Sequence, residues 1–186
     1  MLVVSVDDVG AAALARMRRD GVLTTLTDDA AAAPSPVPLP VARAIALRSW
    51  IPRRAAATGL AALWVHGVTQ DALAPARIEV VVPRGAHPDP PVGVPHRRWS
   101  FTTHQAAYSR ATLIAGLRIA CPADAAAAAM RTAPLGDAMS AAYHAVARGL
   151  TTREELCAAI SDHQGVEGRT RMREAWRAVH QALEGR

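Results

Sequence analysis

The sequence predicts an α+β fold: a short N-terminal block, then a helix-rich domain packed on a small β-sheet. Three observations carry this. Alanine-rich segments with apolar residues at helical spacing fill the C-terminal half, and two of them open on a proline, Pro122 and Pro134, the residue best suited to a first helical turn. Ile78-Glu79-Val80-Val81-Val82 is a β-branched run too short for a helix and closed by Pro83 and Gly85. Apolar residues are 51% of the chain but aromatic ones only 4%, so the core must close through small side chains, as helices in close contact do.

Residues 1–33 read as the first block. Ser5 can cap a short turn, Gly10 precedes a helical run from Ala11 to Arg19, Asp20-Gly21 ends it, and Val22 to Leu26 reads as a strand. Helix, glycine, strand is the order in which a winged helix-turn-helix presents its recognition helix and wing. Residues 34–40 place proline at Pro34, Pro36, Pro38 and Pro40, a semi-rigid extended course that serves as a linker. The rest, 41–186, forms the main domain.

Within it, Val41 to Trp50 has helical spacing with Arg43 and Arg48 off the apolar face, and Pro52 interrupts it. A second helix runs from about Arg54 to Val65, with Gly67 as its left-handed cap. The strand Ile78 to Val82 should be buried on both faces. Pro83 to Pro95 is a loop, and His96 to Phe101 alternates as a strand with Arg97, Trp99 and Phe101 on one side. Ala111 to Ile114 and Leu117 to Ala120 flank the turn residue Gly116. Helices follow from Pro122 to Arg131 and from Pro134 to Gly149, the latter with Leu135, Met139, Ala142, Tyr143 and Val146 as its core stripe. Thr151 with Glu154, or Thr152 with Glu155, fits a capping box for a helix to Ile160. Ser161 to Gly168 is a connection. The last helix, Arg169 to Leu183, turns Met172, Ala175, Trp176, Val179 and Leu183 inward.

All 21 basic residues are arginine, and against 16 acids they give a formal charge of +5. Arginine's planar fork suits phosphate and carboxylate, so nucleic acid and an acidic protein are the partners this charge admits. Cys121 and Cys157 stand in unrelated contexts and read as reduced, buried thiols. No apolar run approaches the roughly 20 residues of a membrane helix, which places the protein in the cytoplasm.

The seven histidines have no metal-ligand spacing: His66 suits a helix C-terminus, His87, His96 and His104 lie in or near the long loop, and His144 reads as a half-buried packing residue. No nucleophile elbow or phosphate-cradling loop is present, and Asp124, Asp137, Glu154 and Glu155 sit at helix starts, where capping accounts for them. No catalytic residue, metal site or cofactor is therefore expected.

An ordered series of segments carries a family resemblance. It comprises Ala61-Ala62-Leu63-Trp64-Val65-His66-Gly67, the strand and turn Ile78 to Gly85, His96-Arg97-Arg98, the Pro122 helix, and Ala147-Arg148-Gly149-Leu150 leading to Thr152-Arg153-Glu154-Glu155-Leu156. Over roughly Pro40 to Ile160 the chain resembles the C-terminal domain of the AbiEi-type antitoxins of bacterial abortive-infection toxin-antitoxin pairs. Leu14 to Leu23 falls in the place of that family's recognition helix and first wing strand, and the chain begins too late for a complete three-helix head. The wing, arginine-rich in the family, here reads Thr24-Thr25-Leu26-Thr27-Asp28-Asp29, and Asp124 with a run of alanines replaces an Arg-Thr pair and an acid.

The resemblance implies an antitoxin and transcriptional regulator that acts by binding, with operator DNA and a nucleotidyltransferase-like toxin as partners. Arg16, Arg18 and Arg19 are the expected DNA contacts, a solvated basic face being the plain alternative for them. The arginines Arg169, Arg171, Arg173 and Arg177 of the last helix, and Arg97 with Arg98, are further candidates. The competing function is a protein-protein interaction module with a vestigial DNA-binding head.

Overall fold

The computed structural model describes residues 3–34, 39–69, 78–88, 99–163 and 168–185. The chain opens with β1 (Val3–Ser5), α1 (Val6–Val9) and α2 (Ala11–Arg19), followed by the hairpin β2 (Thr24–Thr25) and β3 (Ala30–Ala32). β3 lies between the other two strands and antiparallel to both, with Ala31 opposite Val4 on one side and Thr25 on the other. Val4, Leu14, Leu23 and Ala31 make a small core beneath α2. The strand expected from Val22 narrows to Thr24–Thr25, because the amides of Val22 and Leu23 instead close α2 on the carbonyl of Met17.

Residues 35–38, in the proline-rich stretch, lie outside the described residues, while Leu39 and Pro40, expected in the linker, form the first turn of α3 (Leu39–Arg48). Proline fits there because the first turn's amides have no helical acceptor. The block is built against the rest of the chain. Leu26 and Ala30 share one core with Leu47, Trp50 and Ile51, and the Trp50 indole donates to Asp29 Oδ2 at 2.8 Å. Trp50's own carbonyl accepts from the Trp99 indole at 2.8 Å, so one residue joins the block, α3 and the main sheet.

That sheet is built from β4 (Ala56–Ala57), β5 (Ile78–Val82), β6 (Trp99–Thr103), β7 (Thr112–Ile114) and β8 (Leu117–Ile119), in the order β6-β5-β4-β8-β7, with α4 (Gly59–Val65) and α5 (Gln105–Arg110) between strands. The expected helix from Arg54 starts only at Gly59, because Ala56-Ala57 slots between β5 and β8 as the central strand, fully buried. Ala57, Ile78, Val80 and Val82 face the main core, while Ala56 and Val81 meet Ala107 and Ala111 around α5, so the valine run is buried on both faces. Gly59 has φ +58°, where a side chain is strained, and a Cβ there would stand 1.9 Å from a carboxylate oxygen of Glu79, so the Glu79 side chain would also have to shift. β7 and β8 turn at Ala115 and Gly116, both at positive φ, which matches the strand twist of a tight hairpin.

Four helices complete the fold: α6 (Pro122–Thr132), α7 (Leu135–Ala147), α8 (Arg153–Asp162) and α9 (Arg169–Glu184). Every residue of α6 from Ala123 to Met130 is buried, with α4, α7, α8 and α9 packed around it. α7 buries Ala138, Ala141, Ala142 and Ala145, and of the expected stripe Ala142 is buried and Met139, Tyr143 and Val146 pack partly buried against the core, while Leu135 is 46% exposed; His144 faces solvent. Alanines win that face because bulk would hold the helices apart. α8 begins with the Thr152–Glu155 capping box, reinforced by the Thr151 hydroxyl on Glu155 at 2.8 Å, and runs on to Asp162. No helix among the described residues is long and apolar enough to cross a membrane.

The close packing of α6 has a measurable consequence. Ala126→Leu, at a site with no solvent exposure, should lower stability by about 1–3 kcal/mol through overpacking. Ala12→Leu, on the exposed face of α2, should change it by less than about 0.5 kcal/mol. Urea melts of the two variants check this, and an unchanged midpoint for Ala126→Leu would show the space around α6 to be loose.

Candidate nucleic-acid interface

α1 and α2 are separated by Gly10 alone, whose φ of +82° breaks the helical course between them. Leu14 anchors α2, while Ala12, Ala15, Arg16 and Arg19 share its outward face at helical spacing. Ala12 and Ala15 leave that face low enough for its backbone to approach a flat or grooved surface.

The three arginines expected to contact DNA have different fates. Arg16 is outward, its side chain 80% exposed, with its Nε 3.6 Å from the exposed carboxylate of Asp20, a contact weak enough to yield to another anion. Arg19 is outward as well. Arg18 turns the other way: it donates to the carbonyls of Thr27, Asp28 and Ala30 at 2.8 to 3.0 Å and clamps the β2–β3 turn. Its guanidinium is engaged by the β2–β3 hairpin, the segment expected to be a wing.

The acidic wing is likewise divided. Asp29 points inward, accepting from the Thr27 hydroxyl at 2.6 Å and from Trp50, whereas Asp28 stays exposed. α1 carries Asp7 and Asp8 outward, with Asp8 held by the hydroxyl and amide of Ser5, which keep its carboxyl below the usual range. The described part of the block has five aspartates against three arginines. Its surface charge is thus mixed, with cations on α2 and anions beside them.

Other candidates are mostly committed to structure. Arg43, expected off the apolar face of α3, is buried; it donates to the carbonyl of Trp64 in the last turn of α4 and to that of Thr69 just beyond the helix, with its guanidinium 4.8 Å from the Trp64 ring. Arg171 closes the end of α6 through the carbonyls of Arg131 and Ala133. Arg173 and Arg177 are exposed beside Trp176 and His180 in an open groove. Arg97, Arg98 and His96 lie outside the described residues.

Asp124 does more than cap a helix. It is 1% exposed and gripped by Arg110 through two hydrogen bonds of 2.9 and 2.6 Å, while the Cys121 thiol donates to it at 3.0 Å and Arg110 also reaches Asp162 at 2.8 Å. Burial pushes the Asp124 carboxyl up, but Arg110 and Cys121 bring it below its usual range. Burial and the neighbouring carboxylate push the Cys121 thiol up to about 11. Cys157, expected buried, is exposed, and its sulfur accepts from the Trp176 indole at 3.1 Å.

The histidines pack and cap. His66, rather than standing charged at a helix end, is kept neutral by burial and bonds the Ala120 carbonyl at 2.8 Å. His104 lies past the long loop, accepts from the Ala107 amide as the cap of α5, and stacks on the buried His163 at 4.3 Å. Among the described residues no three His, Cys, Asp or Glu side chains gather as a metal site would need.

One arginine group escapes the sequence reading. Arg48, Arg53, Arg54 and Arg118 share a hollow beside the β7–β8 turn. The signal available was the Arg53-Arg54 pair after Pro52, which reads instead as the start of a helix. Against known proteins, no family model and no curated sequence matches this chain.

Two of the histidines make stability depend on pH. Burial lowers the folded pKa of both His66 and His163, so below the unfolded value of about 6.5 the unfolded chain binds more protons and stability falls as pH falls. Each contributes a slope of up to about 1.4 kcal/mol per pH unit. Urea midpoints between pH 8 and pH 5 should decline below roughly pH 6.5. His163→Gln should flatten the decline, and an equally steep one in that variant would remove His163 from the account.

Proposed function

We propose that this protein works by binding rather than by catalysis, as a DNA-binding regulator and antitoxin of the AbiEi type, with α2 as the helix that meets DNA. The observation that supports this most is the topology of the N-terminal block. A strand, two helices meeting at Gly10, and a hairpin whose second strand pairs with the first form the arrangement in which a winged helix-turn-helix holds its recognition helix outward. Arg16 and Arg19 are the phosphate-contacting residues, and Arg18 is a positioning residue that sets the wing against α2. The nucleotidyltransferase-like toxin is the partner that the family resemblance of the main domain implies.

A second reading has its own observation. Five aspartates against three arginines make the block a poor match for phosphate, which favours a protein-binding module whose head no longer meets DNA.

Fluorescence anisotropy of the chain against its own upstream DNA and a scrambled duplex, across a salt series, separates the two. The regulator should prefer its own sequence, and Arg16→Ala with Arg19→Ala should weaken binding by about 1–3 kcal/mol and make it less salt-dependent. Arg18→Ala should lower thermal stability as well as binding, since it removes the side-chain donor to the Thr27 and Asp28 carbonyls and one of three donors to that of Ala30. Absent binding, or weak binding indifferent to sequence and to Arg16 and Arg19, would leave the protein-binding module.

A further inference from the structure

Apart from α2, a concentration of unneutralised charge among the described residues lies on the main domain. Arg48 ends α3, Arg53 and Arg54 lie in the turn before β4, and Arg118 stands on β8; the four line one hollow of about 510 Å³ between that turn and the β7–β8 hairpin. No carboxylate lines it, and none lies within 4 Å of these four guanidiniums among the described residues.

The walls show how the cations are arranged. The Arg48 Nη1 comes within 4.0 Å of where a Cβ on Gly116 would stand, so the side chain reaches across to the hairpin turn. Arg118 stacks over the Tyr108 ring with its guanidinium carbon 5.0 Å from the centroid, and donates one N–H to the Ala111 carbonyl at 3.3 Å. That fixes the plane of its fork and leaves further N–H groups free. Arg54 adopts φ +64°, a backbone conformation that residues with a Cβ rarely hold, in a turn closed by the Ala55 amide on the Pro52 carbonyl at 3.2 Å. Ile51, Leu113 and Leu117 give the hollow an apolar side.

Four like charges facing one space repel, and an anion of several charges is what relieves them. Guanidinium forks match phosphate oxygens two at a time, and the volume is that of a small-ligand site. We propose that this hollow binds a small polyphosphate ligand, a free nucleoside di- or triphosphate, with Arg48, Arg53, Arg54 and Arg118 holding the phosphates. The site is separate from α2 and does not depend on whether α2 meets DNA.

Calorimetric titration of the full chain with inorganic pyrophosphate, a nucleoside triphosphate and the unphosphorylated nucleoside, at physiological ionic strength, tests it. Both phosphate ligands should bind saturably with one site, and the nucleoside should bind much more weakly. Arg48→Gln with Arg53→Gln should weaken the phosphate ligands about tenfold or more, while Arg16→Gln with Arg19→Gln should leave them unchanged. Because Arg48 and Arg53 are exposed, the ligand-free melting temperature of their variant should be equal or higher, and the rise produced by pyrophosphate should be lost. The proposal is overturned by absent or non-saturable binding of both phosphate ligands, by equal binding in the Arg48/Arg53 variant, or by a DNA duplex that needs these arginines where pyrophosphate does not bind.

Discussion

α6 is the constraint on which the rest of this structure depends. A helix buried over eight consecutive residues must be small on every side, and Ala125 to Ala129 give it that. Four helices then approach closely, gaining dispersion contacts that larger side chains would block. The cost is low tolerance, since these alanines are buried with helices packed around them and leave little room for bulk. Asp124 is the one charge within this buried run. An unpaired carboxylate there would be expensive, so the pair it makes with Arg110 obliges α5 to end beside the start of α6, and the second bond to Asp162 brings the end of α8 to the same place. A buried ion pair of this kind adds little net stability, yet removing one partner strands the other, and it therefore acts as a positional lock.

A second tie fixes the N-terminal block. Asp29 turns inward because Trp50 and Thr27 donate to it, and Arg18 turns toward the same hairpin, where the carbonyls of Thr27, Asp28 and Ala30 accept from it. Trp50 in turn donates to the block and accepts from Trp99 on the main sheet. The outward face of α2 is therefore held in a set relation to the main domain rather than carried on a free arm. Two residues that look like surface charge in the sequence, Arg18 and Asp29, are the ones that set this geometry.

The long helices were legible in the sequence because their signals are local: Pro122 at a first turn, the Thr152–Glu155 box, Gly149 past an end. β5 was legible for the same reason, five residues with a β-branched run and turn residues behind them. β4 was not, since Ala56-Ala57 carries no strand propensity and exists only because β5 and β8 leave a gap of its width. On α7 the expected stripe holds at Met139, Ala142, Tyr143 and Val146 but not at Leu135, which is exposed, and it omits Ala138, Ala141 and Ala145, which are buried: size is not burial. For the candidate site, Arg16 and Arg19 could be placed on an exposed face by spacing alone, but Arg18 could not be told from them, because its acceptors lie nine to twelve residues away. The Arg48, Arg53, Arg54 and Arg118 group was invisible for the same reason, as it forms only when the hairpin folds back on the α3–β4 turn.

The distribution of charge decides what kind of partner each face can take. On the block, Arg16 and Arg19 stand among Asp7, Asp8, Asp20 and Asp28, so an approaching polyanion meets attraction on α2 and repulsion one turn or one loop away. Such a surface cannot bind nucleic acid by charge alone. Any affinity must come from shape, from the low alanine face at Ala12 and Ala15 that lets backbone and groove come close, and from placing the aspartates where phosphates are absent. In a DNA-binding role such as the one proposed, a phosphate placed against Asp28 or Asp8 would meet repulsion, which is how these aspartates would contribute to specificity. The hollow beside β7–β8 is the opposite case, cationic on several sides with no acid to compete, and it selects for charge density instead of shape. Because the two faces ask for different properties in a ligand, one can be altered by substitution without the other.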